Sequence, residues 1–211
     1  MRLKHITGSE DVVAASPQVI HDPESMKGKW REYFGGRKIA LEIGCGKGKF
    51  ANTIAGRHPD INFIAVEQTL NVIVSAMEQT IEQKLGNLRY FMGNAEYLPK
   101  VLPADCIECI YLNFSCPFPK TKYAKHRLTS ERFLPIYREL LINGGVILQK
   151  TDNRDFFDYS LESLEKGGFE LRYVTRDLHN SEVKGNIITE YEQRFLSQGL
   201  PIYYLEAVNR K

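Results

Sequence analysis

From residue 39 onward, short apolar runs alternate with amphipathic stretches. The runs at 39–43, 61–66, 88–92, 107–114 and 146–150 have the length and bounding turn residues of buried strands. Between them, Leu70, Ile73, Val74, Met77, Ile81 and Leu85 recur with a helical period, which predicts a helix over 70–85. A second helix is expected from the glycines at 44–48 to about residue 57. Thr129 or Ser130 can cap a third through 141, ended by Asn143-Gly144-Gly145. A fourth follows Asp152-Asn153 to Lys166, stopped by Gly167-Gly168. Further strands are predicted at 169–175 and 202–208, and residues 177–199 read as a polar stretch without an element. Residues 1–38 are polar and broken by Pro17 and Pro23, so they predict an arm with one short helix over 26–34, packed on a domain spanning 39–211.

Strands alternating with helices imply an α/β fold whose mostly parallel sheet is covered on both faces. In such sheets ligands sit at the carboxyl ends of the strands, near the point where the strand order reverses. That rule alone singles out residues 42–48, Glu67, Asn94, 115–120 and Asp152.

Composition narrows the class. In 211 residues, 43% hydrophobic and 26% charged side chains are ordinary globular proportions, and four cysteines do not make a disulfide scaffold. Met1-Arg2-Leu3-Lys4-His5 turns polar without the apolar stretch of a signal peptide, and no run approaches the roughly 20 apolar residues of a membrane span. A soluble cytoplasmic protein without a membrane partner is expected. Cys106-x-x-Cys109 invites zinc, but an i, i+3 pair on a strand points to opposite faces, so no metal is expected. The net charge of +2 hides an asymmetry: from Lys120 to Arg138 six basic residues face one acid, a local +5 that leaves −3 for the remainder. A concentrated basic segment is the footprint of a polyanion partner.

Gly44-Cys45-Gly46-Lys47-Gly48 lets the chain turn sharply after the first strand and lets a ligand approach the backbone. Glu67 ends the second strand, 25 residues after Glu42, where an acid reaches ribose hydroxyls. A dinucleotide fingerprint would need glycine at position 49, which is Lys49. Glu42, directly before the glycines, suits the cationic methionyl end of S-adenosylmethionine and disfavours a pyrophosphate. Asn94, after the third strand, offers its side-chain oxygen to an adenine amino group. At the other end, Asn113-Phe114-Ser115-Cys116-Pro117-Phe118-Pro119 is stiffened by two prolines and lined by two rings, and Lys120, Lys122, Lys125, His126 and Arg127 follow. Lysine and arginine at that density suit phosphate contacts, and the rings suit stacking on an unstacked base.

Several segments together resemble the bacterial tRNA (guanine-N7-)-methyltransferase family of class I S-adenosylmethionine-dependent methyltransferases. They are Lys27-Gly28-Lys29-Trp30, Glu42-Ile43-Gly44-Cys45-Gly46-Lys47-Gly48, Tyr111-Leu112-Asn113-Phe114-Ser115 and Arg127-Leu128-Thr129. Lys150-Thr151-Asp152-Asn153-Arg154, Asp177-Leu178-His179-Asn180 and Thr189-Glu190-Tyr191-Glu192 extend the match almost end to end. The resemblance implies a Rossmann-like seven-stranded sheet with the last strand antiparallel, and methylation of a guanine in the tRNA variable loop. It implies S-adenosylmethionine as cofactor, S-adenosylhomocysteine as product and tRNA as partner, and leaves monomer or homodimer open. Glu42, Gly44, Gly46, Gly48, Glu67, Asn94 and Cys116 stand at cofactor positions. Lys120, Asp152, Thr189, Glu190, Tyr191 and Glu192 stand at substrate positions, and Lys122, Lys125, His126 and Arg127 in the RNA-contacting stretch. Two departures stand out. The family usually has Asp-Pro-Trp-Pro where this chain has Cys116-Pro117-Phe118-Pro119, and Asp where Asn94 stands. That first Asp is regarded as catalytic, so the catalytic assignment falls on Cys116 and Asp152, with Asp152, Glu190 or Glu192 available to orient the guanine. The alternative is a tRNA-binding protein of the same fold whose transferase activity is lost or weakened at Cys116.

Overall fold

The structure, a computed structural model, describes residues 9–36 and 38–211. The reading of the first five residues, the start of the arm and Arg37 lie outside the described residues. Seven strands form one sheet in the order β3-β2-β1-β4-β5-β7-β6, and the chain divides into two compact units at Pro103.

The first unit holds α1 (Ser9–Ala14), α2 (Trp30–Tyr33), β1 (Ile39–Ile43), α3 (Lys49–Arg57), β2 (Asn62–Glu67), α4 (Leu70–Glu82), β3 (Leu88–Met92) and α5 (Leu98–Val101). β1, β2 and β3 pair in parallel, and β1 is buried along its whole length, as parallel strands covered on both faces must be. The expected helix over 70–85 stops at Glu82, because Lys84 turns into the left-handed region at φ 54°. The arm is more structured than the sequence implies. Its expected helix over 26–34 is split into a 3-10 turn (Glu24–Met26) and α2, with Gly28 between them at φ 82°. Trp30 is 1% exposed, and its indole Nε1 donates to Val101 O at 2.7 Å. Lys27 Nζ donates to Pro99 O at 2.6 Å, and Tyr97 OH to Glu24 Oε1 at 2.6 Å. Tyr90 exchanges backbone bonds with Gln18 and Ile20, so the arm pairs along β3.

The second unit holds β4 (Ile107–Asn113), α6 (Leu134–Leu140), β5 (Leu141–Thr151), α7 (Arg154–Lys166), β6 (Phe169–Thr175), α8 (Glu190–Leu196) and β7 (Tyr203–Asn209). β4 and β5 are parallel, whereas β7 runs antiparallel to both β5 and β6. Three expectations change here. The helix expected from Thr129 or Ser130 begins only at Leu134, with Pro135 in its first turn. Thr129 and Ser130 are buried and bonded to Ser160 Oγ and Lys125 O instead of capping it. Asn143-Gly144-Gly145, expected to end that helix, lies inside β5, where Gly144 at φ 81° accompanies a register shift against β4 between Ile107 and Cys109. The polar stretch 177–199 contains α8, started by a capping box in which Thr189 and Glu192 satisfy each other's backbone N–H. Among the described residues no helix is long and apolar enough to cross a membrane.

Candidate functional site

In the first unit, the residues predicted to hold a nucleotide cofactor come together after β1, β2 and β3. Gly44, Gly46 and Gly48 all have positive φ, at 80°, 56° and 78°. Their roles differ. A Cβ on Gly44 or Gly46 would meet nothing within 4 Å, so the backbone there lies open to a ligand, whereas on Gly48 it would stand 2.5 Å from Ala76 Cβ. Gly48 therefore permits close packing of the loop on α4. Glu42 is 5% exposed at the end of β1. Glu67 braces the loop: its Oε2 accepts from Gly46 N at 3.1 Å, and Oε1 accepts from Gln68 N at 2.8 Å and Thr69 N at 3.1 Å. Burial, reinforced by Glu42 and Glu67, pushes the Cys45 thiol well up.

Asn94 behaves differently from its expected role. Its Oδ1 accepts from Glu96 N at 3.0 Å and Tyr97 N at 3.2 Å, capping a 3-10 turn (Ala95–Tyr97). Both acceptor sites of the amide oxygen are then used, so the group left for an adenine is the donor Nδ2, not the oxygen. Sequence reasoning also missed a buried network behind the loop. Asn52 Nδ2 donates to Gly48 O, Ala76 O and Tyr90 OH at 2.9–3.1 Å, and Thr80 Oγ1 donates to Asn52 Oδ1 at 2.7 Å. It ties α3, α4 and β3 to the glycine loop. Asn, Thr and Tyr at 52, 80 and 90 carry no local signal of this; only their depth in the fold reveals it.

In the second unit, the proline-rich loop follows β4. Phe114 and Phe118 sit at φ 52° and 41°, a left-handed backbone that bulky residues hold only under constraint from their surroundings. Phe114 stacks against Tyr191 and Phe195, each with centroids 6.2 Å apart, and packs on the cluster of Leu178, Ile202 and Tyr204. Cys116 is exposed, and Asp152 is half-buried at the end of β5. Lys120, Lys122 and Lys125 are exposed on or beside a 3-10 turn (Thr121–His126); His126 ends it, its ring 5.6 Å from that of Phe118. Arg127 alone of this segment is buried.

Glu192 departs from the role of orienting a guanine. It is 0% exposed, and both oxygens are taken. Oε1 accepts from Asn186 Nδ2 at 2.5 Å and contacts His179 Nε2 at 2.9 Å, while Oε2 accepts from Lys150 Nζ at 2.8 Å. Lys150, itself 4% exposed, also donates to Ile187 O at 2.8 Å and Asn186 Oδ1 at 3.1 Å. Thr189, 8% exposed, is spent on the capping box. Of the tetrad at 189–192, Glu190 and Tyr191 remain on the surface. Burial pushes the Cys106 and Cys109 thiols up to about 12, and among the described residues no cluster of three His, Cys, Asp or Glu is arranged to hold a metal.

Solved structures share this fold. The 16S rRNA methyltransferase KamB matches at a TM-score of 0.65 and 16% identity, over 87% of this chain and 94% of that one. A 16S rRNA (adenine(1408)-N(1))-methyltransferase from Catenulisporales acidiphilia, solved with cosubstrate SAM, matches at 0.64 and 15%, over 91% and 93%. A family model described as a putative methyltransferase matches residues 36–205. At the level of sequence, a tRNA (guanine-N(7)-)-methyltransferase of Lachnoclostridium phytofermentans is 46% identical over the whole of both chains. One of Geobacillus thermodenitrificans is 47% identical over 99% of this chain and 97% of its own. With the glycine loop and the proline-rich loop each at a strand's end, and identity of this order over the full length, the chain belongs to the tRNA (guanine-N7-)-methyltransferase family.

Proposed function

We propose that this protein transfers a methyl group from S-adenosylmethionine to N7 of a guanine in the variable loop of tRNA, releasing S-adenosylhomocysteine. The observation that carries the reading is the full-length similarity to relatives named tRNA (guanine-N(7)-)-methyltransferase. The residues of the first unit fit the cofactor. Open space above Gly44 and Gly46 accepts a ligand that a side chain would exclude, and the buried carboxylate of Glu42 suits a cationic methionyl group. Glu67 would take the ribose hydroxyls, exchanging part of its bonding to Gly46, and Asn94 Nδ2 would donate to an adenine ring nitrogen. The bound cofactor supplies an electrophilic methyl on a sulfonium.

Guanine N7 carries an exposed lone pair and needs no deprotonation before attack. The protein's work is therefore orientation, exclusion of water and electrostatics. Orientation requires an acceptor for the N–H groups on the base edge. Cys116 is a weak one, and Glu192 is committed to Lys150. Of the other two candidate carboxylates, Asp152 is half-buried at the end of β5 and Glu190 is exposed at the start of α8, and either would serve this task. Exposed Lys120, Lys122 and Lys125 hold the RNA backbone, and Tyr191, 62% exposed beside Phe114, offers a ring for stacking.

The test is incubation with methyl-labelled S-adenosylmethionine and bulk tRNA, followed by identification of the modified nucleoside. Label in N7-methylguanosine is expected. tRNA binding without label would point to the binding-protein alternative, and Cys116→Asp in parallel is expected to raise the rate.

A further inference from the structure

Within the basic segment, one side chain is arranged unlike its neighbours. Lys120, Lys122 and Lys125 extend into solvent, while Arg127 is only 9% exposed. Its guanidinium turns inward to the proline-rich loop: Nε donates to Pro117 O at 2.9 Å, and Nη2 donates to Phe118 O at 3.1 Å. Its Cζ lies over the ring of Tyr159, on α7, 4.4 Å from the centroid. The backbone beneath it is fixed as well, with Arg127 N donating to Ala124 O at 3.0 Å and Ser130 N to Arg127 O at 2.9 Å.

The loop it grips needs an external hold. Pro117 and Pro119 have no N–H to donate, and Phe118 between them stands at φ 41°, which its surroundings must enforce. A planar fork with donors in fixed directions meets two successive carbonyls; a lysine ammonium, a single flexible point charge, cannot reproduce that grip and stack on a ring as well. Cys116 directly precedes the two gripped residues.

We propose that Arg127 is a positioning residue that holds the 116–119 loop in the shape that presents the guanine, and that it makes no phosphate contact. The inference rests on reading that loop as the guanine-holding element. It separates the basic segment into two jobs: lysines that supply RNA affinity, and one arginine that supplies loop geometry.

The two roles differ in salt dependence. A residue that neutralises a phosphate adds about 0.7–0.9 to the slope of log affinity against log salt, and a loop clamp adds nothing. Arg127→Gln, Arg127→Lys and Lys122→Gln would be compared with the wild type by tRNA binding at several salt concentrations and by steady-state methylation. Lys122→Gln is expected to lower the slope by one such increment. Arg127→Gln is expected to keep the wild-type slope and lower kcat at least tenfold, with KM for S-adenosylmethionine within twofold. Arg127→Lys should lose kcat similarly although the charge is retained. A lowered slope in Arg127→Gln, or wild-type kcat in Arg127→Lys, would overturn the proposal. If thermal unfolding shows that the Arg127 variants do not fold, Tyr159→Leu, which leaves the fork but removes its stacking surface, carries the test: reduced kcat at unchanged slope supports the clamp, and unchanged kcat refutes it. A wild-type protein forming no N7-methylguanosine would overturn both this role and the reading of the loop, whereas an active wild type with an equally active Arg127→Gln would overturn the role alone.

Discussion

Glu192 and Arg127 both stand among the substrate positions that the family resemblance assigns, and the fold buries them both. For Glu192 the reason is an ion pair with Lys150, 2.8 Å long and shielded from solvent on both sides. Breaking such a pair leaves a charge buried without its partner, which costs about 3–5 kcal/mol. Lys150→Met is accordingly expected to lower stability by that amount in denaturant unfolding, and the loss should reappear as loosening of residues 177–189 in hydrogen exchange, because Asn186 and Ile187 are held by the same ammonium. The cysteines offer a second check at this scale. Cys45, Cys106 and Cys109 are held above the ordinary thiol range mainly by burial, so near pH 8 almost none of their thiolate is present. Cys116 is exposed. Thiol titration of the native protein at pH 8 should therefore show one fast-reacting group, lost in Cys116→Ser, and four groups after unfolding. None of these assignments follows from residue type, because a carboxylate or thiol is spent or available according to neighbours far away in the chain.

At the scale of elements, the glycine loop combines two demands that one motif conceals. Gly44→Ala and Gly48→Ala both place a side chain at positive φ, a cost of roughly 1–2 kcal/mol each. Only the second also drives a Cβ to 2.5 Å from Ala76 Cβ and 2.9 Å from its Cα, where backbone must give way. Gly48→Ala should show the larger fall in melting temperature. Gly44→Ala should show the larger loss of S-adenosylmethionine affinity relative to its stability change, since its methyl would occupy open space above the loop; calorimetry on both variants separates the two effects. Most strands and the helices α3, α4 and α7 are legible to within a few residues because periodicity and turn chemistry act locally, whereas β5 begins five residues before its expected start. α8 is missed by the sequence reading: its capping box at Thr189 and Glu192 is a local signal, but the polar composition of 177–199 masks it. The start of α6 is obscured for another reason: Thr129 and Ser130 have the chemistry of caps, yet Ser160, 31 residues away, claims the first and the carbonyl of Lys125 the second.

For the molecule as a whole, the net charge of +2 is a poor guide to partners. Three exposed lysines within six residues sit on or beside the 3-10 turn that follows the proline-rich loop. Replacing Lys120, Lys122 and Lys125 together by glutamine is expected to flatten the salt dependence of tRNA binding by about 2–3 in slope, measured by filter binding across a salt series. The sequence by itself determined the α/β alternation, the glycine loop, the acids at the strand ends and the basic segment, because each is written in neighbouring residues whose spacing sets local geometry. Tertiary structure alone decided which polar groups are occupied. Lys150 meets Glu192 across 42 residues and Asn52 meets Tyr90 across 38, and hydrogen-bonding capacity used in such pairings is no longer available to a ligand.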